Sequence, residues 1–202
     1  MNVVLTDVAI VVAIAVLVGF YVSWRATRLD RLHARAETAH AALDAALARR
    51  SGVALELAAS GLLDPATSLL IAGAAHDARA TGQLESVAAS AGEAQPRELA
   101  ESDLSRALRA AFAQPGFRVS LPGRDGADEL LAEIDAAAHQ VFLARRFYND
   151  AVAATLAARR RRLVGLLRLA GGAPAPVFFE ADDAPPVVGD GSDDADLPRL
   201  AG

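Results

Sequence analysis

The sequence predicts an all-α protein in which an N-terminal transmembrane helix leads into an elongated antiparallel helical bundle, followed by a disordered acidic C-terminal tail. Alanine, the strongest helix former, supplies 48 of the 202 residues. An unbroken apolar run of 15 residues covers positions 8–22. Further along, apolar residues recur at spacings of three and four, the period of an amphipathic helix. We therefore predict an anchor at residues 1–24, a helical domain at 25–181 and a tail at 182–202.

The membrane segment is expected at residues 3–24, which makes the lipid bilayer the first predicted partner. At 1.5 Å per residue this helix spans about 33 Å, slightly more than the roughly 30 Å hydrocarbon core. A cleaved signal peptide and a buried core helix are the alternatives. A signal peptide would require positive charge before the apolar run, and no Lys or Arg precedes it here. The segment is therefore predicted to be a retained anchor.

The flanks of this segment predict its orientation. Tyr21 and Trp24 suit the membrane interface, and Arg25, Arg28 and Arg31 follow directly. Positive charge favours the cytoplasmic side. We expect a single-pass protein with its N-terminus outside and its helical body in the cytoplasm.

The first bundle helix is predicted over residues 25–60 and ends at Ser60 and Gly61. Asp64 is predicted to cap a second helix that begins at Pro65 and runs to residue 91. The apolar stripe of the first helix consists of Leu29, Leu32, Ala36, Ala39, Leu43 and Ala46.

Two further helices are predicted, at residues 96–113 and 127–169, with a loop at 114–126. The second helix has few large apolar residues, namely Leu69, Leu70, Leu84 and Val87. The third is expected to place Leu99, Leu104, Leu108 and Phe112 on one face. The stripe of the last helix consists of Leu130, Ile134, Ala137, Val141, Ala144, Tyr148, Val152 and Thr155. Alanine-rich stripes pack equally well between chains, so a homo-oligomer is compatible with the pattern.

Composition excludes several classes of chemistry. The chain has no cysteine, so a disulfide scaffold, an iron–sulfur cluster and a thiol nucleophile are excluded. None of the four histidines lies in an HxxxH or HExxH pattern, and phosphate-loop and hydrolase-elbow motifs are absent. Six aspartates in the tail account for the acidic balance, which leaves a nearly neutral body unsuited to nucleic acid. We predict no catalytic residues, no metal and no cofactor.

Three segments carry a family resemblance. Residues 144–152, Ala-Arg-Arg-Phe-Tyr-Asn-Asp-Ala-Val, are similar to the pattern Ala-Arg-x-Tyr-Tyr-Asn-x-x-Val, and residues 177–181 are similar to an aromatic-Phe-Glu-Ala ending. Residues 47–55 are similar to a Leu-x-Arg-Arg segment of a first soluble helix. The chain thereby resembles the LemA family of bacterial membrane-anchored helical proteins over roughly residues 1–183. It departs from the family at residues 54–56, 155–156 and 160–163. The resemblance implies a helical bundle on a membrane stalk at the bacterial cell membrane, and no established chemistry.

Two clusters are the candidate interaction sites. The first is the set of motif residues, where a phenol, an amide and two guanidinium groups suit an anionic ligand. The structural alternative is that Tyr148 and Asn149 bond across to the first helix, near Arg49, Arg50 and Glu56. The second cluster is either a lipid or acidic-partner patch or a solvated helix end. The motif cluster comprises Arg145, Arg146, Phe147, Tyr148, Asn149, Phe178, Phe179 and Glu180. The second cluster, the arginine patch, comprises Arg159, Arg160, Arg161 and Arg162.

The sequence therefore predicts a non-enzymatic membrane protein that serves as a protein-interaction or scaffolding module for an unidentified protein partner. The alternative is a membrane-tethered sensor or regulatory subunit that binds a small anionic ligand near Arg145, Arg146 and Tyr148.

Overall fold

The computed structural model describes residues 2–87, 95–114, 126–160 and 175–184. These residues form four helices and no strand: α1 (Asn2–Ala59), α2 (Pro65–Val87), α3 (Gln95–Phe112) and α4 (Ala127–Arg159). The all-α prediction is confirmed. The predicted continuation of the last helix to residue 169 and most of the predicted loop and tail lie outside the described residues.

Helix α1 joins the predicted membrane segment and the first bundle helix in one uninterrupted element of 58 residues. The large apolar side chains from Ile10 to Phe20 are exposed, at 52% and 75% for these two residues, and Trp24 is 53% exposed. Among the described residues, this helix alone is long and apolar enough to cross a membrane. Its most apolar stretch of 18 residues has a mean hydropathy of 1.9, and 0% of that stretch is buried. Beyond it, Leu29, Ala36 and Leu43 are buried, which confirms the predicted stripe.

The chain divides into two compact units, and the division falls within α1 and α4. The first unit comprises Met1–Leu43 and Arg145–Phe179, and the second comprises Asp44–Ala144 and Glu180–Gly202. Each unit has its own set of contacts and is described by itself.

In the first unit, α1 and α4 pack antiparallel. The Thr155 hydroxyl, which donates to the Ala151 carbonyl at 2.8 Å, also lies 3.4 Å from the Leu32 carbonyl of α1. The rings of His40 and Tyr148 meet edge to face at 5.3 Å. As α1 runs from Leu32 to His40, the residues of α4 that it contacts run in the opposite direction, from Thr155 to Tyr148. Tyr148 and Thr155 are buried, as the predicted stripe of the last helix requires.

The second unit has an apolar core to which all four helices contribute. Helix α2 supplies Ile71 together with two alanines, and small side chains allow a neighbouring helix to approach closely. The largest fully buried apolar side chains of this core are Leu57, Ile71, Leu104, Leu108 and Ile134.

The prediction that Leu99 shares the buried face of α3 is wrong. Leu99 is 64% exposed, whereas Leu104 and Leu108 are fully buried. Five residues separate Leu99 from Leu104, which places it about 140° away around a helix of 3.6 residues per turn. Glu101, three residues before Leu104, lies on the buried face instead. In α2, Leu69, Leu70 and Leu84 are exposed, and the large apolar residue that enters the core is Ile71.

The start of α2 follows the predicted capping pattern. A carboxylate oxygen of Asp64 accepts hydrogen bonds from the backbone N–H groups of Ala66 at 3.0 Å and Thr67 at 3.1 Å. Hydrogen bonding to Thr67 lowers the pKa of Asp64 because it favours the charged carboxylate. Gly61, with a φ of 73°, lies in the left-handed region directly after α1.

Candidate interaction site

In the first unit, two adjacent polar residues of α4 hold a short stretch of backbone that we call the clamped segment, residues 177–179. The Tyr148 hydroxyl donates to the Val177 carbonyl at 2.8 Å. The Asn149 amide nitrogen donates to the Phe179 carbonyl at 3.1 Å, and its oxygen accepts from the Phe179 N–H at 3.0 Å. One side chain amide thus satisfies both backbone groups of Phe179. These bonds join two of the three segments that carry the family resemblance.

The clamped segment buries one aromatic ring and exposes its other side chains. Phe179 is 7% exposed, whereas Val177 is 64% and Phe178 39% exposed. On α4, Phe147 directly precedes the clamping residues and is 63% exposed. Isolated exposed apolar residues are common, but these side chains lie on or beside a backbone held by three hydrogen bonds. The first unit therefore presents apolar side chains on a fixed support.

The structure places the motif residues differently from the interpretation in which they bond across to the first helix. The ring of Tyr148 does pack against His40 of α1, but the bonds of its hydroxyl and of the Asn149 amide described above go to the clamped segment. The hydroxyl and amide suggested for an anionic ligand are thus engaged within the chain. Arg145 is half-buried and Arg146 is exposed.

The arginines expected opposite this motif have partners inside the second unit. Arg49 meets Glu133 of α4 at 3.3 Å, and both side chains are largely exposed. Arg50 is buried and forms a 2.6 Å ion pair with Glu101 of α3, with side-chain exposures of 3% and 2%. Its guanidinium also donates to the Ser105 hydroxyl at 2.8 Å. Glu56 is exposed.

Residues 180–184 lie along α3 in the second unit. The Glu180 N–H donates to the Glu98 carboxylate at 2.8 Å, and the Asp182 N–H donates to the Ser102 hydroxyl at 3.0 Å. Arg109 donates to the Asp182 carboxylate at 3.0 Å and to the Ala184 carbonyl at 3.1 Å. The first residues of the predicted acidic tail are therefore bonded to a helix, while residues 185–202 lie outside the described residues.

The predicted arginine patch at the end of α4 is partly described. Arg159 lies 3.3 Å from the imidazole Nε2 of His33, and Arg160 is exposed. Arg161 and Arg162 lie outside the described residues. Within the part of the chain that the structure describes, no group of three His, Cys, Asp or Glu residues is arranged to hold a metal ion.

Sequence reasoning did not foresee a cleft in the first unit that is lined by arginines of α1 and alanines of α4. In the sequence, Arg25 and Arg28 predict only the orientation of the membrane segment. The available signal was the cluster Ala154, Ala157 and Ala158, because three small side chains on one helix face leave space against a neighbouring helix.

No protein-family model matches the chain, and no curated protein and no solved structure matches it either. The resemblance to the LemA family stays a prediction from the motif residues.

We expect Asn149→Ala to release the clamped segment while leaving α4 helical, because alanine is the better helix former. Asn149 makes two hydrogen bonds to Phe179, and each contributes about 0.5–1.5 kcal/mol, so amide exchange at Phe179 should accelerate by about fivefold or more. Hydrogen exchange followed by mass spectrometry measures this. Asp150→Ala, at the next and exposed position of α4, is the control. Unchanged protection of Phe179 in Asn149→Ala would contradict the clamp.

We expect the contact between residues 182–184 and α3 to weaken in acid. Hydrogen bonding to Arg109 lowers the pKa of Asp182, so its contribution is fully present above the ordinary value of about 4 and is lost as the pH falls through the lowered value. Both side chains are substantially exposed, which keeps the effect small and salt-sensitive.

The measurement is amide exchange at Asp182, corrected for the intrinsic effect of pH, between about pH 6 and pH 2. Asp182→Asn should abolish the pH dependence. Asp103→Asn, which removes a carboxylate paired with Arg106 on the same helix, should preserve it. Equal pH dependence in Asp182→Asn and the wild-type chain would show that another group titrates.

Proposed function

We propose that the chain is a single-pass bacterial membrane protein of the LemA type, whose helical body is a non-enzymatic protein-interaction or scaffolding module. The observation that carries the proposal is the continuity of α1. One helix carries exposed apolar side chains from Ile10 to Phe20 and goes on, without interruption, to residues buried against other helices. In this proposal, the apolar part of α1 contacts lipid, and the buried residues of its later part pack in the protein interior.

The exposure of this apolar stretch supports a membrane anchor over a buried core helix. A core helix of a soluble protein hides its apolar side chains, whereas Val16, Leu17 and Phe20 are 65%, 68% and 75% exposed. Leaving such a surface in water is unfavourable by about 25 cal/mol per Å² of apolar area. The direct passage into the bundle stripe also favours a retained anchor over a cleaved signal peptide. The arginines that follow support a cytoplasmic body.

The clamp supports the LemA-type proposal. Tyr148 and Asn149 bond to residues that lie 29 and 30 positions further along the chain, and these bonds join two of the motif segments. A motif whose parts bind each other has a structural reason for its spacing. Because the sequence offers no catalytic constellation, we assign the body a role in interaction rather than a reaction.

The exposed side chains of the first unit are the proposed contact surface. Val177 and Phe178 combine exposure with support from the clamp, and Phe147 is exposed on α4 directly before the clamping residues. Aromatic residues are enriched at protein interfaces. The alternative, a sensor for a small anionic ligand near Arg145, Arg146 and Tyr148, is the weaker proposal because the Tyr148 hydroxyl already has a partner within the chain.

The anchor and its orientation are tested with introduced thiols, since the chain has no cysteine. In a bacterial host, Asn2→Cys should react with an impermeant maleimide in intact cells, and His76→Cys, at an exposed position of α2, only after lysis. The reverse result would overturn the orientation. Recovery of both variants in the soluble fraction would overturn the anchor.

A matched pair of arginine substitutions gives the control for insertion. Val16→Arg places a charge near the middle of the apolar segment, at a cost of about 3 kcal/mol, and should reduce membrane retention. Thr27→Arg adds the same charge just beyond the segment and should leave retention unchanged.

The interaction role is tested with a photoreactive amino acid placed at Phe178 in the full-length chain in cells. We expect a specific cross-link to another protein, or to a second copy of the chain if the partner is a homo-oligomer. Asn149→Ala should weaken the cross-link because the support of Phe178 is lost. The same probe at Glu56, exposed in the second unit, is the control. Absence of any protein cross-link from Phe178 would overturn the proposed surface.

A further inference from the structure

A cleft of about 240 Å³ lies between α1 and α4 in the first unit, immediately after the apolar part of α1. Admitting one water molecule takes roughly 10–15 Å³, so the cleft has room for a group of several atoms. Its α1 side consists of Arg25, Arg28, Leu29 and Leu32. The α4 side consists of three alanines, and none of the lining residues carries a carboxylate. The cleft therefore combines two positive charges with an apolar wall.

The arginine nearest the membrane segment is oriented by aromatic residues. The Arg25 guanidinium donates to the Tyr21 hydroxyl through Nε at 3.0 Å and through Nη2 at 2.9 Å. It also lies 5.3 Å from the ring centre of Tyr21 and 5.7 Å from that of Trp24. Tyrosine and tryptophan at the end of a membrane helix occupy the headgroup layer. In the proposed membrane orientation, Arg25 lies in that layer.

Arg28 supplies the second charge, one turn further from the membrane segment. Its side chain is exposed, and it has no hydrogen-bond or ion-pair partner among the described residues. Two guanidinium groups on one side of a cleft suit a phosphate, which accepts several charge-assisted hydrogen bonds. Leu29 and Leu32 would contact the apolar part of a molecule that carries such a phosphate.

We propose that this cleft binds the phosphate of an anionic phospholipid from the cytoplasmic leaflet. The inference rests on the proposed membrane anchor and deepens it, because it assigns the lipid contact to a particular pair of residues. It also differs from the arginine patch that the sequence suggested, whose described members are Arg159, which lies against His33, and the exposed Arg160. The lipid source is favoured over free phosphate because the cleft adjoins the end of the apolar segment and has leucines in its lining.

The chain contains its own probe of this site, since Trp24 is its single tryptophan and adjoins Arg25. The full-length protein is placed in phosphatidylcholine vesicles that contain a small fraction of brominated lipid, either phosphatidylglycerol or phosphatidylcholine. Bromine quenches tryptophan fluorescence only at short range. We expect stronger quenching by brominated phosphatidylglycerol, which would report its local enrichment.

Paired variants separate the cleft from general surface charge. Arg25→Gln with Arg28→Gln should lower the preference for phosphatidylglycerol by about fivefold or more, the effect of one to two arginine contacts at a membrane surface. Arg31→Gln with Arg35→Gln removes equal charge from exposed positions outside the cleft and should keep most of the preference. Equal losses in the two double variants would overturn the proposal, and matching circular dichroism spectra would verify folding.

The remaining outcomes distinguish this inference from the proposed function. Equal quenching of the wild-type chain by both brominated lipids would leave the anchor standing and overturn the lipid site. Absence of quenching by either lipid would overturn the anchor, and the lipid site with it. Inorganic phosphate added at constant ionic strength should leave the preference unchanged. If millimolar phosphate abolished the preference for phosphatidylglycerol, the cleft would instead be assigned to a soluble phosphate.

Discussion

The Arg50 guanidinium lies inside the second unit with 3% exposure, and its ion pair with Glu101 determines how α3 can pack against α1. Removing a charge from water costs several kcal/mol, and a buried charge without a partner is strongly destabilising. The alanines in the core of this unit set no such condition, because small side chains fit one another at more than one register. Glu101 and Ser105 lie one turn apart on α3, so sliding α3 by one turn would leave Arg50 facing only one of the two. The polar contacts thereby add a register requirement that the alanines of the core do not impose.

The first unit uses polar side chains in another way. Tyr148 and Asn149 are directed at backbone groups of residues 177–179, so they hold a segment that has no regular structure of its own. Unpaired backbone groups are costly when shielded from water, and the Asn149 amide satisfies a donor and an acceptor at once. Phe179 is buried as a result, while Phe178 is turned outward. The same hydrogen bonds that stabilise the segment thus determine which aromatic ring a partner can reach.

Helix positions were predictable wherever local rules decide them. The cap at Asp64, the end of α1 near Gly61 and the buried stripe through Val141, Tyr148 and Thr155 all follow from spacing and residue type. Leu99 was misplaced because a short helix with several leucines permits more than one apolar face. The choice was made by Glu101, which turns toward Arg50. The cleft beside Arg25 was missed because its space results from alanines of α4, more than 100 residues further along the chain.

The sequence by itself determined the helical class, most of the helix starts and ends within the described residues, and an apolar segment long enough to span a membrane. These properties depend on neighbours three or four residues apart, and such neighbours are already present in the sequence. Only the tertiary structure decided which groups the polar side chains meet. Asn149 finds its partner 30 residues away, Arg50 finds its carboxylate 51 residues away, and Arg109 finds its carboxylate 73 residues away. Such partners are decided by tertiary packing, because hydrogen bonds and ion pairs require contact within about 3 Å and helix periodicity carries no information about contacts between distant segments.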